Sequence, residues 1–190
     1  MQQAKTRDKK IEITDIAISK ADTQAIPHFS EEQNSKLNEL HKELLRRSMN
    51  ENDSNEVAFL FNTKTLNYEV QFGDEASVDI FANPFAFEML NRSSEKELYL
   101  LHNHPSTKSF SYTDIGVFLM HDNIGGITVV TNTGDVHILY KSENYSFEYA
   151  YEALIQIRSD YSIDVLDEEN DAEVVKRFLK VCKKCGIISM

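Results

Sequence analysis

The sequence of 190 residues has only two cysteines, Cys182 and Cys185, and few basic side chains. Two cysteines are too few for the disulfide framework of a small secreted protein. The 20 lysines and arginines are outnumbered by 31 aspartates and glutamates, which gives a net charge of -11. This balance argues against a chain whose main task is to bind a polyphosphate backbone, because such binding needs lysine and arginine. A local basic patch is still compatible with it.

The sequence also lacks long apolar stretches. Residues 1–10 are polar throughout and contain no apolar region of the kind found in signal peptides. No run approaches the roughly 18 apolar residues that a membrane-spanning helix requires. Eleven phenylalanines and eight tyrosines are enough for a packed core. We therefore expect a soluble, cytoplasmic, globular protein.

The pattern along the chain predicts four parts. Residues 1–28 form an N-terminal arm, for which a short strand, a docked segment and a mobile tail all remain open. Residues 29–50 contain a helix that packs on the core, because leucines recur there at helical spacing behind a capping Ser30. Residues 51–159 form the main domain. Residues 160–190 form an acidic, solvated connection followed by a C-terminal helix.

Strands and helices alternate within the main domain. Gly125-Gly126 is expected to break the chain, and 132–135 to form a hairpin turn. Strands are predicted at 56–61, 66–72, 98–101, 127–131 and 136–140, and helices at 84–90, 111–120, 147–157 and 174–181. The fold class is therefore α/β (α+β), with a mixed, mostly antiparallel sheet flanked by helices. Cys182 and Cys185 are interpreted as two ordinary thiols, since no second pair exists to complete a zinc site.

The most specific chemical pattern is the segment His102-Asn103-His104-Pro105-Ser106, followed by Ser111 and Asp114. We predict that both histidines leave a strand for a polar loop, 102–109, and turn toward one point. Imidazole nitrogens bind zinc, and three protein ligands with an open fourth position are typical of catalytic zinc. Asp114, in the first turn of the next helix, is the candidate third ligand. The alternatives are two surface histidines, and a capping box in which Ser111 competes with the metal for the Asp114 carboxylate.

A hydrolytic zinc site also needs a base to take a proton from water. Glu56 is the first candidate, because it begins an apolar strand that can neighbour the strand ending at His102. Glu69, in the returning strand, is the second candidate. The alternative for Glu56 is an edge-strand carboxylate in solvent. Ser111 is expected to donate a hydrogen bond to a developing oxyanion or to hold a ligand in place.

This set of residues resembles the JAMM (MPN/JAB) metalloprotease superfamily, whose pattern is an upstream Glu, His-x-His, a spacer and Ser-x-x-Asp. The segment His-Asn-His-Pro-Ser is most similar to the bacterial RadC branch, and the resemblance covers roughly residues 56–141. It implies a JAB/MPN-like (cytidine-deaminase-like) core within 51–159 and a prokaryotic or phage source. The resemblance implies zinc ligands at His102, His104 and Asp114, a general base at Glu56 and an oxyanion-side residue at Ser111.

The resemblance implies a zinc-dependent hydrolase that cleaves a peptide or isopeptide bond, often beside the C-terminal tail of a ubiquitin-like protein. One alternative is a catalytically degenerate interaction module. It is favoured by the spacing of six residues between His104 and Ser111, where the family usually has seven, and by Thr107, where the RadC branch has Gly. Another is a RadC-like DNA-processing factor, which the acidic charge and the absence of a helix-hairpin-helix pattern in 1–55 disfavour. The outer helices are expected to cover the sheet or to form a dimer interface.

Overall fold

A six-stranded mixed sheet with helices on both faces forms the centre of the molecule. The structure is a computed structural model that describes residues 10–161 and 168–190. The strands are β1 (Val57–Asn62), β2 (Tyr68–Phe72), β3 (Leu98–His104), β4 (Ile124–Thr131), β5 (Val136–Lys141) and β6 (Ile187–Ser189). The helices are α1 (Asp15–Lys20), α2 (Glu31–Glu51), α3 (Pro84–Arg92), α4 (Tyr112–Met120), α5 (Phe147–Ser159) and α6 (Glu168–Val181), with short 3-10 helices at Ile80–Ala82 and Cys182–Cys185.

The strand order in the sheet is β2-β1-β3-β4-β5-β6. Strands β3 and β4 are parallel, and every other neighbouring pair is antiparallel. The register places Ala58 of β1 opposite His102 of β3, and His102 opposite Val129 of β4. The predicted class, a mostly antiparallel mixed sheet flanked by helices, is confirmed.

One face of the sheet is covered by α2, at the place in the chain where a helix was predicted. Ser30 caps this helix in a capping box with Gln33. The fully buried leucines of α2 that pack toward the sheet are Leu37, Leu40, Leu44 and Leu45. His41 lies among them, also fully buried, with its Nε2 2.9 Å from Thr128 Oγ1 on β4. The helix therefore covers the sheet, which is one of the two roles expected for it.

The opposite face of the sheet is covered by α3, α4, α5 and α6. Side chains alternate across a strand, so every second residue of β1 and β3 points to this layer. These inward residues are Ala58 and Leu60 on β1, and Leu98 and Leu100 on β3. Phe118 of α4 and Phe178 of α6 are fully buried in the same cluster. The candidate site lies at one end of this layer.

Two local predictions in the main domain are wrong. Strand β3 continues through His104, so the predicted polar loop 102–109 begins three residues later, because parallel pairing with β4 extends to Thr131. The predicted break at Gly125-Gly126 lies inside β4. A Cβ atom on Gly126 would overlap the ring of Tyr99, so the glycine allows that ring to pack against the strand.

The N-terminal arm contains a helix, and not the short strand that was one of its three open alternatives. Helix α1 begins after Thr14, whose side chain accepts a hydrogen bond from the Ala17 N–H. Ahead of it, the Ile11 N–H donates to the Pro105 carbonyl oxygen over 2.9 Å. The described part of the arm is therefore docked, and residues 1–9 of the predicted arm lie outside the described residues.

The C-terminal part also differs from its prediction. Helix α6 begins at Glu168 rather than at 174, so the end of the predicted solvated connection is helical, and 162–167 lie outside the described residues. The unpredicted strand β6 pairs with β5. Cys182 and Cys185 are both free and buried. In the parts of the chain that the structure describes, we find no helix with the length and apolar composition to cross a membrane.

Candidate metal centre

The two histidines of the motif lie side by side at the end of β3. Residues two apart on a strand share a face, so His102 and His104 converge within β3 itself. The prediction that they leave the strand and turn toward one point is wrong. The Nε2 atoms of the two rings are 3.0 Å apart. Both residues are buried, with 4% and 9% of their surface exposed respectively. The strand therefore presents two imidazole nitrogens to one point.

Asp114 completes this cluster from the first turn of α4. Its Oδ1 lies 3.1 Å from His102 Nε2, and its Oδ2 lies 3.4 Å from His104 Nε2. The six-residue spacing between His104 and Ser111 is thus long enough to bring Asp114 back to both histidines. The loop that is one residue shorter than the family pattern does not separate the candidate ligands.

The Asp114 carboxylate also caps its own helix. The Ser111 N–H donates to Asp114 Oδ2 over 2.6 Å, and the Asp114 N–H donates to Ser111 Oγ over 3.1 Å. These two bonds form a capping box. Asp114 Oδ2 therefore accepts the capping bond while Oδ1 faces His102, so the capping box does not turn the carboxylate away from the histidines.

The hydrogen bonding of His104 leaves its inner nitrogen suited to a metal. His104 Nδ1 lies 3.2 Å from the Lys108 carbonyl oxygen. A carbonyl only accepts, so Nδ1 carries the hydrogen, and the neutral ring then has a lone pair on Nε2. A carbonyl that accepts from the outer nitrogen in this way fixes the orientation of a metal-binding histidine. His102 Nδ1 is buried without a hydrogen-bond partner in the described structure.

The spacing of the three donor groups fits a tetrahedral metal ion. Ligand atoms from His102, His104 and Asp114 all lie within 4.8 Å of one another. Donors about 2.0–2.1 Å from a tetrahedral zinc would be about 3.3 Å apart, close to the separations between the three side chains. Two imidazoles and one carboxylate are a donor set that zinc accepts in catalytic sites. The residues therefore fit zinc with one coordination position left open.

The electrostatics of the cluster favour an ionised carboxylate between the two rings. Burial alone would raise the pKa of Asp114, but the charges and hydrogen bonds of His102 and His104 hold this pKa well below its usual range. For His104, burial lowers the pKa, while the hydrogen bond and charge of Asp114 raise it, and the net shift is upward. Asp114 is thus a buried, ionised carboxylate between the two rings, and it would attract a cation.

Glu56, the predicted base, lies immediately before β1 and lines the same cavity as the two histidines. Ala58 pairs with His102, so continuing that register would place Glu56 opposite His104 on the same face. The glutamate is only 8% exposed, which excludes the alternative of a carboxylate in free solvent. Burial raises the pKa of Glu56, and the nearby His102 and His104 oppose this rise. A carboxyl group with a raised pKa is suited to proton transfer near neutral pH.

The structure separates the second candidate base from the site. Glu69 pairs with Leu60, four residues along β1 from Glu56, which is about 13 Å at the rise of a strand. Ser111, by contrast, lines the cavity as the N-cap of α4. Its Oγ accepts from the Asp114 N–H, so the capping box does not use the hydroxyl hydrogen of Ser111. That hydrogen is available to a group in the cavity.

A cavity of about 970 Å³ opens over the cluster. Its polar end contains the histidines, Asp114 and Glu56, and its other walls come from the 75–81 segment, α4 and α6. The larger apolar side chains in these walls are Val78, Ile80, Phe81, Val117, Val175 and Leu179. A space of this size and mixed lining is typical of a ligand-binding site.

Asp171 is a cavity residue that sequence analysis missed. It lies on α6, and both of its carboxylate oxygens are 3.2 Å from the Tyr112 N–H at the start of α4. Burial and the charge of Asp114 raise the pKa of Asp171. The acidic run around Asp171 was interpreted as a solvated connection. Acidic residues are also typical of the first turns of a helix, and that signal would have placed Asp171 on α6.

No protein-family model matches this chain, and neither a curated protein nor a solved structure matches it.

Proposed function

We propose that the protein is a zinc-dependent hydrolase of peptide or isopeptide bonds, built on a JAB/MPN-like core. The observation that carries this proposal is the convergence of His102, His104 and Asp114, with the buried Glu56 on the wall of the same cavity. In this proposal the three converging side chains hold the metal. Glu56 is the general base, and Ser111 is a hydrogen-bond donor to the substrate.

Zinc, when bound, would act as a Lewis acid toward a carbonyl oxygen and would lower the pKa of water. Glu56 would take the proton from the attacking water. Because burial raises the pKa of its carboxyl group, Glu56 would keep this proton long enough to deliver it to the leaving amine. The Ser111 N–H would hold the Asp114 carboxylate in place as a ligand beside the two imidazoles.

The Ser111 hydroxyl would stabilise negative charge that develops on the substrate oxygen. Its Oγ is fixed by the Asp114 N–H, so the hydroxyl needs no reorganisation before it donates into the cavity. The apolar walls formed by Phe81, Val117 and Val175 would exclude bulk water and would contact apolar parts of a substrate. The residues alone indicate metal-assisted hydrolysis. The choice of an amide bond is supported by the resemblance of the motif to the JAMM pattern.

The first test is the metal content of protein purified without chelators. We expect about one zinc per chain, because the cluster supplies three ligands. The double variant His102→Ala/His104→Ala should lose the zinc. The matched control is His28→Ala/His121→Ala, since neither of these rings lines the cavity, and it should retain the metal.

A screen of the zinc-loaded protein against a fluorogenic peptide library and a ubiquitin-like isopeptide conjugate then tests the reaction. We expect cleavage that is lost in the Glu56→Gln variant, whereas zinc content is retained. Wild-type protein that takes up no zinc, even when zinc is added, would contradict the proposal. A catalytically degenerate interaction module would then become the leading hypothesis, and partner capture would follow.

A further inference from the structure

Asn103 stands between the two candidate ligand histidines, and its side chain points to the other side of β3. It is fully buried. Its Oδ1 accepts from the Val57 N–H over 2.8 Å, and its Nδ2 lies 3.2 Å from the Asn55 carbonyl oxygen. These two partners are the residues immediately before and after Glu56. The Asn103 side chain on β3 thus hydrogen-bonds to the backbone of both neighbours of the candidate base Glu56.

The backbone of Glu56 itself is fixed from the opposite side. The Glu56 N–H donates to the Asp74 carbonyl oxygen over 2.9 Å, and the Glu56 carbonyl accepts from the Gly73 N–H over 2.8 Å. The Asn52 side chain donates to the same carbonyl over 2.8 Å. The segment 55–57 is therefore held on both sides, and Asn103 supplies the connection to the metal-binding strand.

The register explains why a side chain is used for this connection. Regular pairing between β1 and β3 begins at Ala58 and His102, so Val57 would lie opposite Asn103 if the ladder continued. The side-chain oxygen of Asn103 takes the Val57 N–H that a backbone carbonyl would otherwise accept. An amide side chain can do this and also donate to Asn55, because it carries an acceptor and two donors on one group.

The same side chain is itself held by neighbours. Asn103 Nδ2 lies 2.8 Å from Asn132 Oδ1 and 3.2 Å from Ser48 Oγ. The Asn132 N–H donates to the His104 carbonyl oxygen over 3.0 Å, and its side-chain amide donates to the Ser54 carbonyl over 2.8 Å. This buried network joins the strand of the histidines to the residues that precede Glu56.

We propose that Asn103 is a positioning residue that sets the distance between the base Glu56 and the two metal-binding histidines. It touches neither the metal nor the substrate. It acts through the backbone of residues 55–57 and the backbone of β3. The inference rests on the proposed function, since Glu56 is a base and the histidines are ligands only within it.

The test compares Asn103→Ala with Asn62→Ala, a matched control at the other end of β1. Asn62 is also buried and also makes four hydrogen bonds, two to backbone N–H groups and two to side chains. It does not line the cavity. Both variants should therefore lose similar stability in urea. Two further measurements are made on each: the zinc dissociation constant by chelator competition, and amide hydrogen exchange at Val57 in metal-free protein.

We expect Asn103→Ala to weaken zinc binding about tenfold, because the loosened backbone at Asn103 would displace the flanking His102 and His104, and to speed exchange at Val57. Asn62→Ala should change neither. Equal effects of the two variants on zinc affinity and on Val57 exchange would overturn the inference and leave Asn103 with a stabilising role only. If the wild type binds no zinc, the proposed function fails. Amide exchange at Val57 then tests only whether Asn103 links residues 55–57 to β3. Faster exchange in Asn103→Ala only would then support the linkage of 55–57 to the strand, and unchanged exchange would refute it.

Discussion

The buried histidine of α2 makes the fold sensitive to acid. His41 is fully buried, and its Nε2 is 2.9 Å from Thr128 Oγ1. Burial lowers the pKa of His41 from 6.5 to about 3. The folded state therefore keeps this ring neutral in a pH range where the unfolded chain binds a proton. The contribution of His41 to the free energy of unfolding is therefore fully present above pH 6.5, and it is lost as the pH falls toward 3.

The loss can be estimated from the pKa in the two states. With 6.5 for the unfolded chain and about 3 for the folded protein, acidification to pH 5 costs about 2 kcal/mol, since one pKa unit corresponds to about 1.4 kcal/mol. The amide of His41→Gln can donate to or accept from Thr128, but it cannot titrate. We expect this variant to lose about 2 kcal/mol less than the wild type between pH 7.5 and pH 5.

Urea unfolding of metal-free protein at both pH values measures this difference. His121→Gln serves as the control: the pKa of His121 is also lowered by burial, but the residue is only half-buried, so most of the acid sensitivity should remain. The reasoning would be refuted if the wild type and His41→Gln lost the same free energy of unfolding on acidification. His41 would then not be the group that binds the proton on unfolding.

Three further substitutions test the site and its support. Asp114→Asn keeps an acceptor for the helix cap but removes the buried charge, and we expect at least a tenfold loss of zinc affinity in chelator competition. Glu56→Gln removes a buried carboxyl group whose pKa is raised, so its free energy of unfolding at pH 8 should equal or exceed that of the wild type, and hydrolysis should fall about 100-fold or more. Gly126→Ala places a methyl group against the ring of Tyr99, and urea unfolding should show a loss of about 1–3 kcal/mol.

The parts of the fold that the sequence predicts well are those with strong local signals. Helix α2 has a capping serine and a repeated leucine pattern, and the structure places its ends within two residues of the prediction. The convergence of His102, His104 and Asp114 depends on two local rules: residues two apart share a strand face, and a serine cap fixes the start of α4. These rules operate within about a dozen residues, so spacing alone carries them.

The parts that were missed depend on contacts distant in sequence. Strand β6 has three residues and forms because β5 offers it a free edge. Gly125 and Gly126 look like a break locally, but β4 tolerates them because the ring of Tyr99 fills the space beside Gly126. The hydrogen bonds of Asn103 with Val57 and Asn55 join positions that are 46 and 48 residues apart, respectively. A short stretch of sequence contains no pattern that predicts such a pairing.

The most direct test of the metal centre is an anomalous-scattering map, recorded at the zinc absorption edge from crystals grown with zinc. The account predicts one strong peak about 2.0–2.2 Å from His102 Nε2, His104 Nε2 and an Asp114 carboxylate oxygen. No peak between these three side chains, or a peak only at Cys182 and Cys185, would contradict it.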